Sequence, residues 1–389
     1  MSDPSAKVVA WLGEQRQAMI DLLETLVNVD SGSYDKQGTD AAGQVLKDFF
    51  AARGIPVEAI PNATYGDALR ASVAHPGGAN TKPIVLMGHR DTVFPKGEAA
   101  RRPFTIKGDR AYGPGVADMK AGLVINAFVL AGYHAFGGHP SELVALVTAD
   151  EEIASPFSRT VIERQAREAR IVLNSEPGRA SGNVVSGRKG GVFMRFEVTG
   201  RAAHSGANHA DGRSAIEEMA HKIVALHKLT GHVHGATVNV GLVSGGQTVN
   251  TVAPYACGEI DLRYIKLADR GVMLDAIAAV IDRSTVPDTS ATWEIKGEFL
   301  AMEMSEQSKT LLDLYIDGAA ELGMTIGSEF TGGSADSGVA AAQGTPTLCG
   351  LGAVGGKVHG PEEYIEVDSI VPRAQALARV IGKLTDSPL

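Results

Sequence analysis

The feature that most constrains the fold of this chain is a series of short, uninterrupted apolar runs that each lead to acidic or histidine side chains. The clearest run is Leu143-Val-Ala-Leu-Val147, and Asp150, Glu151 and Glu152 follow it. A short run without polar alternation is typical of a strand buried on both faces, as in the middle of a parallel sheet. Open α/β sheets bind ligands at the carboxyl ends of such strands. Three adjacent carboxylates beside a core are costly without a cation, although an acidic, solvated loop is the simpler explanation for this run alone.

A second run, residues 83–88, ends at His89 and Asp91. Residues two apart in extended chain point to the same side, so these two side chains are expected to lie together. A histidine that binds a metal usually needs a second group to hold its ring, and that group is often a carboxylate. A polar turn after a strand would account for the same residues.

Asp118 and Glu176 extend the series. Asp118 follows a glycine-rich loop and precedes a predicted helix over residues 121–136, where a carboxylate is favoured by the helix N-terminus. The strand predicted at residues 171–174 leads to Glu176. Capping or a turn would explain any one of these positions. Four of them along a single α/β pattern predict that the strand ends converge on one cleft.

The length of 389 residues and a change of pattern after residue 186 predict two domains. The first stretch opens with an amphipathic helix predicted over residues 5–28. Beyond residue 186 the predicted order is β-α-β-β-α-β, which is typical of a small α+β domain with an antiparallel sheet. We therefore predict an α/β catalytic domain, with a mixed and mainly parallel sheet, from residues 1–186 and 298–389, and an inserted domain from residues 187–297.

Composition excludes several classes of function. A net charge of −9 argues against nucleic acid or an anionic membrane as a partner. No apolar run approaches the roughly 20 residues that span a bilayer, and residues 1–12 show no signal-peptide pattern. Cys257 and Cys349 fall in different predicted domains, so no disulfide is expected. Together these observations predict a cytoplasmic protein.

The chain resembles the aminoacylase/carboxypeptidase G family of dinuclear metallopeptidases. The similarity is carried, in the family's order and spacing, by eight segments: Gly88-His-Arg-Asp-Thr-Val-Phe-Pro95, Gly113-Pro-Gly-Val-Ala-Asp-Met-Lys120, Thr148-Ala-Asp-Glu-Glu152, Ser175-Glu-Pro177, Ala203-His-Ser-Gly206, Asn250, Asp261-Leu-Arg263 and Val358-His-Gly360. The resemblance implies a catalytic domain split by a ferredoxin-like lid, through which many members form homodimers.

The resemblance also implies a metal site and the roles within it. Asp118 would bridge two divalent ions, His89 and Glu176 would complete one ion, and Glu152 and His359 would complete the other. Asp91 would orient His89, and Glu151 would act as general base. It further implies a cis peptide bond between Asp118 and Met119. Zinc, cobalt or manganese would suit this mixed nitrogen and oxygen ligand set.

The lid residues implied to contact substrate are His204, Asn250 and Arg263, with His204 reaching the partner subunit's site. This chain departs from carboxypeptidase G-like members at Glu298, which stands where they carry an arginine that grips the substrate's carboxylate. Arg188, Lys189 or Arg263 would have to supply that cation instead. A carboxylate at this place would repel the terminal carboxylate of a glutamate-ended substrate, so the resemblance does not by itself imply glutamate specificity.

The function predicted from these residues is metal-dependent hydrolysis of an amide or peptide C–N bond in a small substrate, such as an N-acyl amino acid or short peptide. Ions about 3.5–4 Å apart would activate a water, and Glu151 would move its proton. Two alternatives remain open at this stage. A hydrolytic deaminase of an aromatic amine, of the nitroanthranilate type, would use the same site, and Glu298 would suit its amino group. A non-catalytic metal-binding scaffold is the other.

Overall fold

The computed structural model describes residues 4–74, 82–386 and 389. In the described residues the helices are α1 Ser5–Gly13, α2 Arg16–Val27, α3 Lys36–Ala51, α4 Glu98–Arg101, α5 Ala121–Ala135, α6 Ser158–Glu168, α7 Ala215–His227, α8 Asp269–Asp282, α9 Glu306–Ala320, α10 Ser337–Ala341 and α11 Ile370–Lys383. The strands are β1 Val57–Ile60, β2 Ala68–Val73, β3 Ile84–His89, β4 Thr105–Lys107, β5 Arg110–Tyr112, β6 Leu143–Thr148, β7 Ile171–Asn174, β8 Val184–Arg188, β9 Gly190–Thr199, β10 Thr237–Gly245, β11 Tyr255–Tyr264, β12 Ser290–Phe299, β13 Ser328–Thr331, β14 Thr347–Leu348, β15 Gly355–Gly356 and β16 Tyr364–Glu366.

The chain forms two compact units. Unit 1 comprises Met1–Gly187, Met304–Thr331 and Ala335–Leu389, and unit 2 comprises Arg188–Glu303 with Gly332–Ser334. The chain leaves unit 1 one residue after the predicted boundary. It returns at Met304 rather than at 298, because β12 continues to Phe299 and the backbone of Met302 then pairs with that of Arg188 inside unit 2.

Unit 1 is built on a six-stranded sheet in the order β1-β2-β6-β3-β7-β14. Strands β6, β3, β7 and β14 are parallel. At one edge β2 pairs antiparallel with β6, and β1 pairs antiparallel with β2. The apolar run in β3 is buried on both faces. Ile84 and Leu86 join the core cluster that includes residues of α5, whereas Val85 and Met87 join the cluster that includes residues of α6 and α10. The predicted α/β fold with a mainly parallel sheet is confirmed.

A small antiparallel sheet in unit 1 positions two loops of the site. Its order is β15-β16-β5-β4, and Tyr364 of β16 lies opposite Tyr112 of β5. The loop before β16, residues 357–363, is therefore brought beside the glycine-rich loop after β5, although about 250 residues separate them in the chain. Sequence patterns do not predict such pairing, because each strand is only two or three residues long.

Unit 2 has the order β9-α7-β10-β11-α8-β12, as predicted for the inserted region. Its four strands pair antiparallel in the order β10-β11-β9-β12. Side chains on one face of the sheet, such as Phe196 and Ile260, pack with Met219 of α7 and Ile277 of α8 to form a separate core.

One stretch of the described residues, Val116–Ala135, is long and apolar enough to cross a membrane on length and composition alone. It contains α5, and 94% of its most apolar window is buried inside the protein. Such burial is typical of a core helix in a globular fold.

A further difference from prediction lies at the N-terminus, where α1 and α2 replace the single helix expected over residues 5–28. Gly13, a weak helix former, ends α1.

Candidate metal centre

The carboxyl ends of the parallel strands bring the predicted ligands of unit 1 together. His89 is the last residue of β3 and is 1% exposed, and its Nε2 lies 3.2 Å from Oδ1 of Asp118. The other oxygen of Asp118, Oδ2, lies 3.3 Å from Nε2 of His359. Asp118 therefore stands between the two imidazoles with one oxygen facing each. This is the arrangement expected of a carboxylate shared by two cations.

The remaining carboxylates surround this pair. Oε2 of Glu152 lies 3.1 Å from Nε2 of His359, and Oε1 of Glu176 lies 3.6 Å from Nε2 of His89. Glu151 is also near, with Oε2 at 3.8 Å from Nε2 of His89. Glu151 and Glu152 sit in one short turn after β6, which is why adjacent residues reach different sides of the cluster.

These atoms satisfy the spacing of a metal site. Ligand atoms of His89, Asp118 and Glu152 lie within 4.8 Å of one another, and so do those of His89, Glu151 and Glu176. In addition, Oε1 of Glu152 is buried with no hydrogen-bond partner in the described part of the chain. A buried anionic oxygen without a donor is costly unless a cation accompanies it. The residues present therefore fit divalent cations, and the distances alone do not separate Glu151 from the ligands.

The pKa shifts of the cluster reflect its crowded, buried carboxylates. Burial raises the pKa of Glu151 well above its usual value, and it raises the pKa of Glu152 to about 7. Hydrogen bonds with Asp118 and Glu152 raise the pKa of His359 to about 10. Burial alone would lower the pKa of His89, but the nearby carboxylates raise it well above its usual value. Protons thus neutralise part of the negative charge of the carboxylates, which bound metal ions would otherwise neutralise.

Asp91 supports both sides of the cluster from behind. Its Oδ1 lies 3.3 Å from Nδ1 of His89, and the Glu151 backbone N–H donates to the same oxygen at 3.2 Å. Its Oδ2 accepts from the Ser33 hydroxyl at 2.7 Å and from the Glu152 N–H at 3.1 Å. Asp91 is fully buried. Ser33 was missed by the sequence analysis, since nothing in its local pattern distinguishes it from a loop serine.

A second supporting carboxylate, Glu363, was also missed. It is fully buried and accepts the backbone N–H groups of Gly115, Ala117 and Asp118 at 3.1, 2.9 and 3.0 Å. Burial raises its pKa to about 7. Its place four residues after His359 was the only available signal. The peptide bond between Asp118 and Met119 is cis, as the resemblance implied.

Unit 2 contains the other predicted site residues. His204 is exposed, and its Nδ1 accepts the backbone N–H groups of Gly206 and Ala207 at 3.1 Å each. The proton of the neutral ring is therefore on Nε2, which faces outward as a donor. Asn250 lies beside it, since its carbonyl accepts the Ser205 N–H at 3.0 Å. Thr248 donates its hydroxyl to the side-chain oxygen of Asn250 at 2.9 Å.

The charged residues proposed to recognise substrate are already engaged within unit 2. Glu298 is 9% exposed and forms a bidentate ion pair with Arg270, in which Nη2 lies 2.7 Å from Oε2. Arg263 pairs with Asp261 at 2.7 Å. Arg188 is buried and donates to the carbonyl of Gly333 at 3.2 Å. Because Glu298 is paired, the repulsion of a substrate carboxylate that the sequence suggested is weakened.

Lys189 donates to the carbonyl of Gly235 at 2.7 Å. Each of the three suggested cations therefore already has a contact within unit 2. Their roles in recognition stay predictions.

Comparisons with known proteins identify the family of the chain. The family model described as Peptidase family M20/M25/M40 matches residues 85–383. Carboxypeptidase G2 from Pseudomonas sp. (strain RS-16) is 30% identical over 377 residues, which cover 95% of this chain and 90% of that protein. An acetylornithine deacetylase from Vibrio campbellii is 27% identical over 396 residues, covering 95% of this chain and 99% of that protein.

Solved structures show the same fold. A tripeptidase from Staphylococcus aureus has a TM-score of 0.76 at 21% identity, covering 96% of this chain and 99% of that one. The metallo-carboxypeptidase Sso-CP2 from Sulfolobus solfataricus, of the M20 family, has a TM-score of 0.76 at 15% identity, covering 94% of this chain and 98% of that one. At these identities the likeness concerns the fold alone.

Proposed function

Since this chain belongs to peptidase family M20/M25/M40 and is a metal-dependent hydrolase acting on C–N bonds, we propose that it cleaves the amide bond of an N-acyl amino acid or short peptide with two divalent ions, most simply zinc. The observation that carries the proposal is Asp118, whose two oxygens lie 3.2 and 3.3 Å from the Nε2 atoms of His89 and His359. Glu176 and Glu152 complete the donor set on the two sides. Carboxypeptidase G2, as a relative 30% identical, supports the substrate class.

The residues of the chain would divide the work as follows. His89, Glu176 and Asp118 would hold one ion, and Glu152, His359 and Asp118 would hold the other. When bound, the ions polarise the scissile carbonyl and lower the pKa of water. Asp91 holds the His89 ring in the orientation that presents Nε2.

Glu151 is the proposed base. Its carboxylate lies within the cluster, with Oε2 3.8 Å from Nε2 of His89, and the resemblance gives it the role of accepting a proton from the attacking water and delivering it to the leaving nitrogen. This proton transfer gives Glu151 a role beside the carboxylates that are proposed as metal ligands. His204, with its outward Nε2–H, is the proposed donor to the oxyanion of the tetrahedral intermediate.

We also propose that unit 2 mediates homodimer formation and that the protein works in the cytoplasm. Strand β10 is an edge of its sheet, and it exposes Leu242 and Val243, which are 64% and 60% accessible. An open, apolar edge strand is a ready site for pairing with a second copy of the chain. Sedimentation of the purified protein, compared with a Leu242→Lys variant, tests whether this edge strand mediates the dimer.

The test of function is an assay of metal-free and metal-loaded protein. The enzyme is treated with a chelator, dialysed and reloaded with zinc, cobalt or manganese. It is then presented with N-acyl amino acids, dipeptides and an aromatic amine. We expect free amino acid to appear only in the loaded protein. Full activity after exhaustive metal removal would overturn the proposal.

Two other outcomes would point to the alternatives. Release of ammonia from the aromatic amine, without amide cleavage, would identify a deaminase. The deaminase hypothesis drew on Glu298 as a partner for the substrate's amino group, and in the structure Glu298 is paired with Arg270 instead. Full metal occupancy with no turnover of any substrate would instead identify a binding protein.

A further inference from the structure

Glu363 stands out among the buried acidic residues because its carboxylate accepts three backbone N–H groups of a single turn. Oε1 accepts the N–H groups of Ala117 and Asp118, and Oε2 accepts that of Gly115. Its side chain is fully buried. Three donors within four residues that converge on one carboxylate define the conformation of that turn.

The turn needs this acceptor because its own geometry leaves the N–H groups unused. Gly115 has φ of 72°, in the left-handed region, and Asp118 has φ of −111° and ψ of 91°, which interrupts the helical stretch. Neither conformation allows the regular i to i−4 bonds of a helix. Buried N–H groups without an acceptor are costly, so the carboxylate decides whether this turn is stable.

Glu363 also belongs to the loop that carries His359. The Glu363 N–H donates to the carbonyl of Gly360, and His359 itself has φ of 63°, a left-handed conformation that is rare for a residue with a side chain. The loop therefore brings one imidazole to Oδ2 of Asp118 and, four residues later, fixes the backbone from which Asp118 projects.

We propose that Glu363 is a positioning residue of the metal centre, which sets the place of Asp118 between His89 and His359 and raises the affinity for both cations. This inference rests on the proposed function only for the presence of metal, and not for the reaction. The alternative is a purely structural acceptor that stabilises the fold without affecting metal binding.

Three variants separate the two. Glu363→Gln keeps the length of the side chain, but its amide NH2 meets one of the three N–H donors and the charge is lost. Glu363→Asp keeps the charge and shortens the reach by one methylene. Glu362→Gln is the matched control, since Glu362 is exposed and pairs with Lys357 at 2.7 Å on the surface.

The main readout is zinc affinity, measured by competition with a chromophoric chelator, together with the number of zinc ions bound per chain by mass spectrometry. We expect Glu363→Gln to bind zinc roughly 10–100-fold more weakly, as happens when groups that orient ligands are removed. Glu363→Asp should lie between it and the wild type. Zinc affinity of Glu363→Gln equal to that of Glu362→Gln would overturn the proposal.

Amide hydrogen exchange of the wild-type protein covers the case in which both Glu363 variants fail to fold. The amides of residues 115–118 should be protected further when zinc is bound. If they exchange at the same rate with and without zinc, the turn is not coupled to the metal and the proposal fails. Wild-type protein that binds zinc but cleaves no substrate would count against the proposed function and leave this inference standing.

A separate observation concerns a cavity of about 540 Å³ in unit 1, which reaches Glu152. Apolar side chains make up much of its lining, among them Tyr34, Val93, Phe94 and Ile153. Tyr34 and Val93 are 79% and 44% exposed. Large exposed apolar groups gathered beside a reactive centre mark a place where an apolar part of a ligand is removed from water.

The charged groups of this cavity, apart from Glu152, are Asp35 and Lys96. Their side chains lie 3.9 Å apart, so their charges largely balance. We infer that, given the proposed amide hydrolysis, the cavity binds an uncharged apolar acyl group attached to the scissile carbonyl. It would thereby favour aromatic acyl substrates over acetyl substrates.

The test compares kcat/KM for N-benzoyl and N-acetyl derivatives of one amino acid. The variants are Tyr34→Ser and Val93→Ser, with Ile106→Ser as control, because Ile106 is 45% exposed and lies outside the cavity lining. We expect the benzoyl preference to fall roughly tenfold in the two cavity variants. An unchanged ratio would overturn the inference. If no amide is cleaved, calorimetric binding of N-benzoylglycine decides, and equal affinity in wild type and Tyr34→Ser would overturn it.

Discussion

Nδ1 of His89 lies 3.0 Å from the backbone carbonyl of Asp91 and 3.3 Å from its Oδ1, so that the ring presents Nε2 to Asp118. The same carboxylate accepts the N–H groups of Glu151 and Glu152. Asp91 thus connects the end of β3 to the turn after β6. Asp91 contacts one ligand through both its carbonyl and its carboxylate, and its side chain also fixes the position of the turn that holds another.

We therefore expect Asp91→Asn to weaken metal binding by roughly 10–100-fold, because the amide NH2 cannot accept the donors that the carboxylate oxygen accepts. Zinc competition measures this directly. Asp109→Asn is the control, since Asp109 is exposed on the turn between β4 and β5. Equal zinc affinity in the two variants would show that Asp91 is dispensable for the metal site.

Glu151 and Glu152 are adjacent in the chain but are expected to respond differently to the same substitution. Glu151→Gln should retain metal and lose the proton transfer, with kcat reduced by roughly 10²–10⁴. Glu152→Gln should lose metal, because its carboxylate lies 3.1 Å from Nε2 of His359. Metal content and kcat are measured on the same preparations. Metal loss from the Glu151 variant alone would mean that the two roles are exchanged.

Much of this centre was predictable because each piece is local. The apolar runs of β3, β6 and β7 identify buried strands, and the residues directly after them carry His89, Glu151 and Glu176. The resemblance added His359, which has no strand pattern of its own. Only the folded chain shows that the oxygens of Asp118 face two different rings.

What could not be predicted depends on contacts between distant residues. Glu363 meets Asp118 across 245 positions, and Ser33 meets Asp91 across 58. For Glu298 the sequence suggested a carboxylate available to substrate, whereas in the fold it pairs with Arg270. Neither hydrophobic period nor local propensity carries information on such partners.

Unit 2 contains a buried ion pair between successive turns of α7. Nζ of Lys222 lies 2.7 Å from Oε1 of Glu218, and both side chains are buried. Oε2 of Glu218 accepts the N–H groups of Thr285 and Val286 at 2.8 and 2.6 Å. We expect Glu218→Gln to destabilise unit 2 by about 3–5 kcal/mol, as when one partner of a buried pair is removed. Urea unfolding measures this, and the exposed neighbour variant Glu217→Gln should be near neutral.

The pH dependence of this effect follows from the direction of the pKa shift. Burial tends to raise the pKa of Glu218, but Lys222 and the two N–H donors outweigh it and lower the pKa below the ordinary value of 4.5. A carboxyl group whose pKa is lowered on folding contributes stability above its unfolded pKa and loses it as the pH falls. The difference between wild type and Glu218→Gln should therefore be full above about pH 4.5 and shrink below it. A difference that grows on acidification would contradict this.

The last prediction concerns His204 and the partner subunit. Because Nδ1 of His204 accepts two backbone N–H groups, the outward Nε2–H is a fixed donor, and Asn250 lies next to it. The resemblance implies that this donor serves the active site of the second copy. We expect His204→Ala to lower kcat by roughly 10²–10³, as when one oxyanion donor is lost, with metal content unchanged.

Mixing His204→Ala subunits with Glu151→Gln subunits decides where His204 acts. If it acts across the interface, each mixed dimer holds one site with an intact Glu151 and an intact His204 from the other chain. Since about half of the dimers are mixed after full random exchange of equal amounts, the mixture should regain about a quarter of the wild-type activity. If it acts within its own chain, one site lacks Glu151 and the other lacks His204, so the mixture stays inactive. Subunit exchange is followed with two fluorescent labels. Absence of recovery in fully exchanged dimers would place His204 outside the shared site.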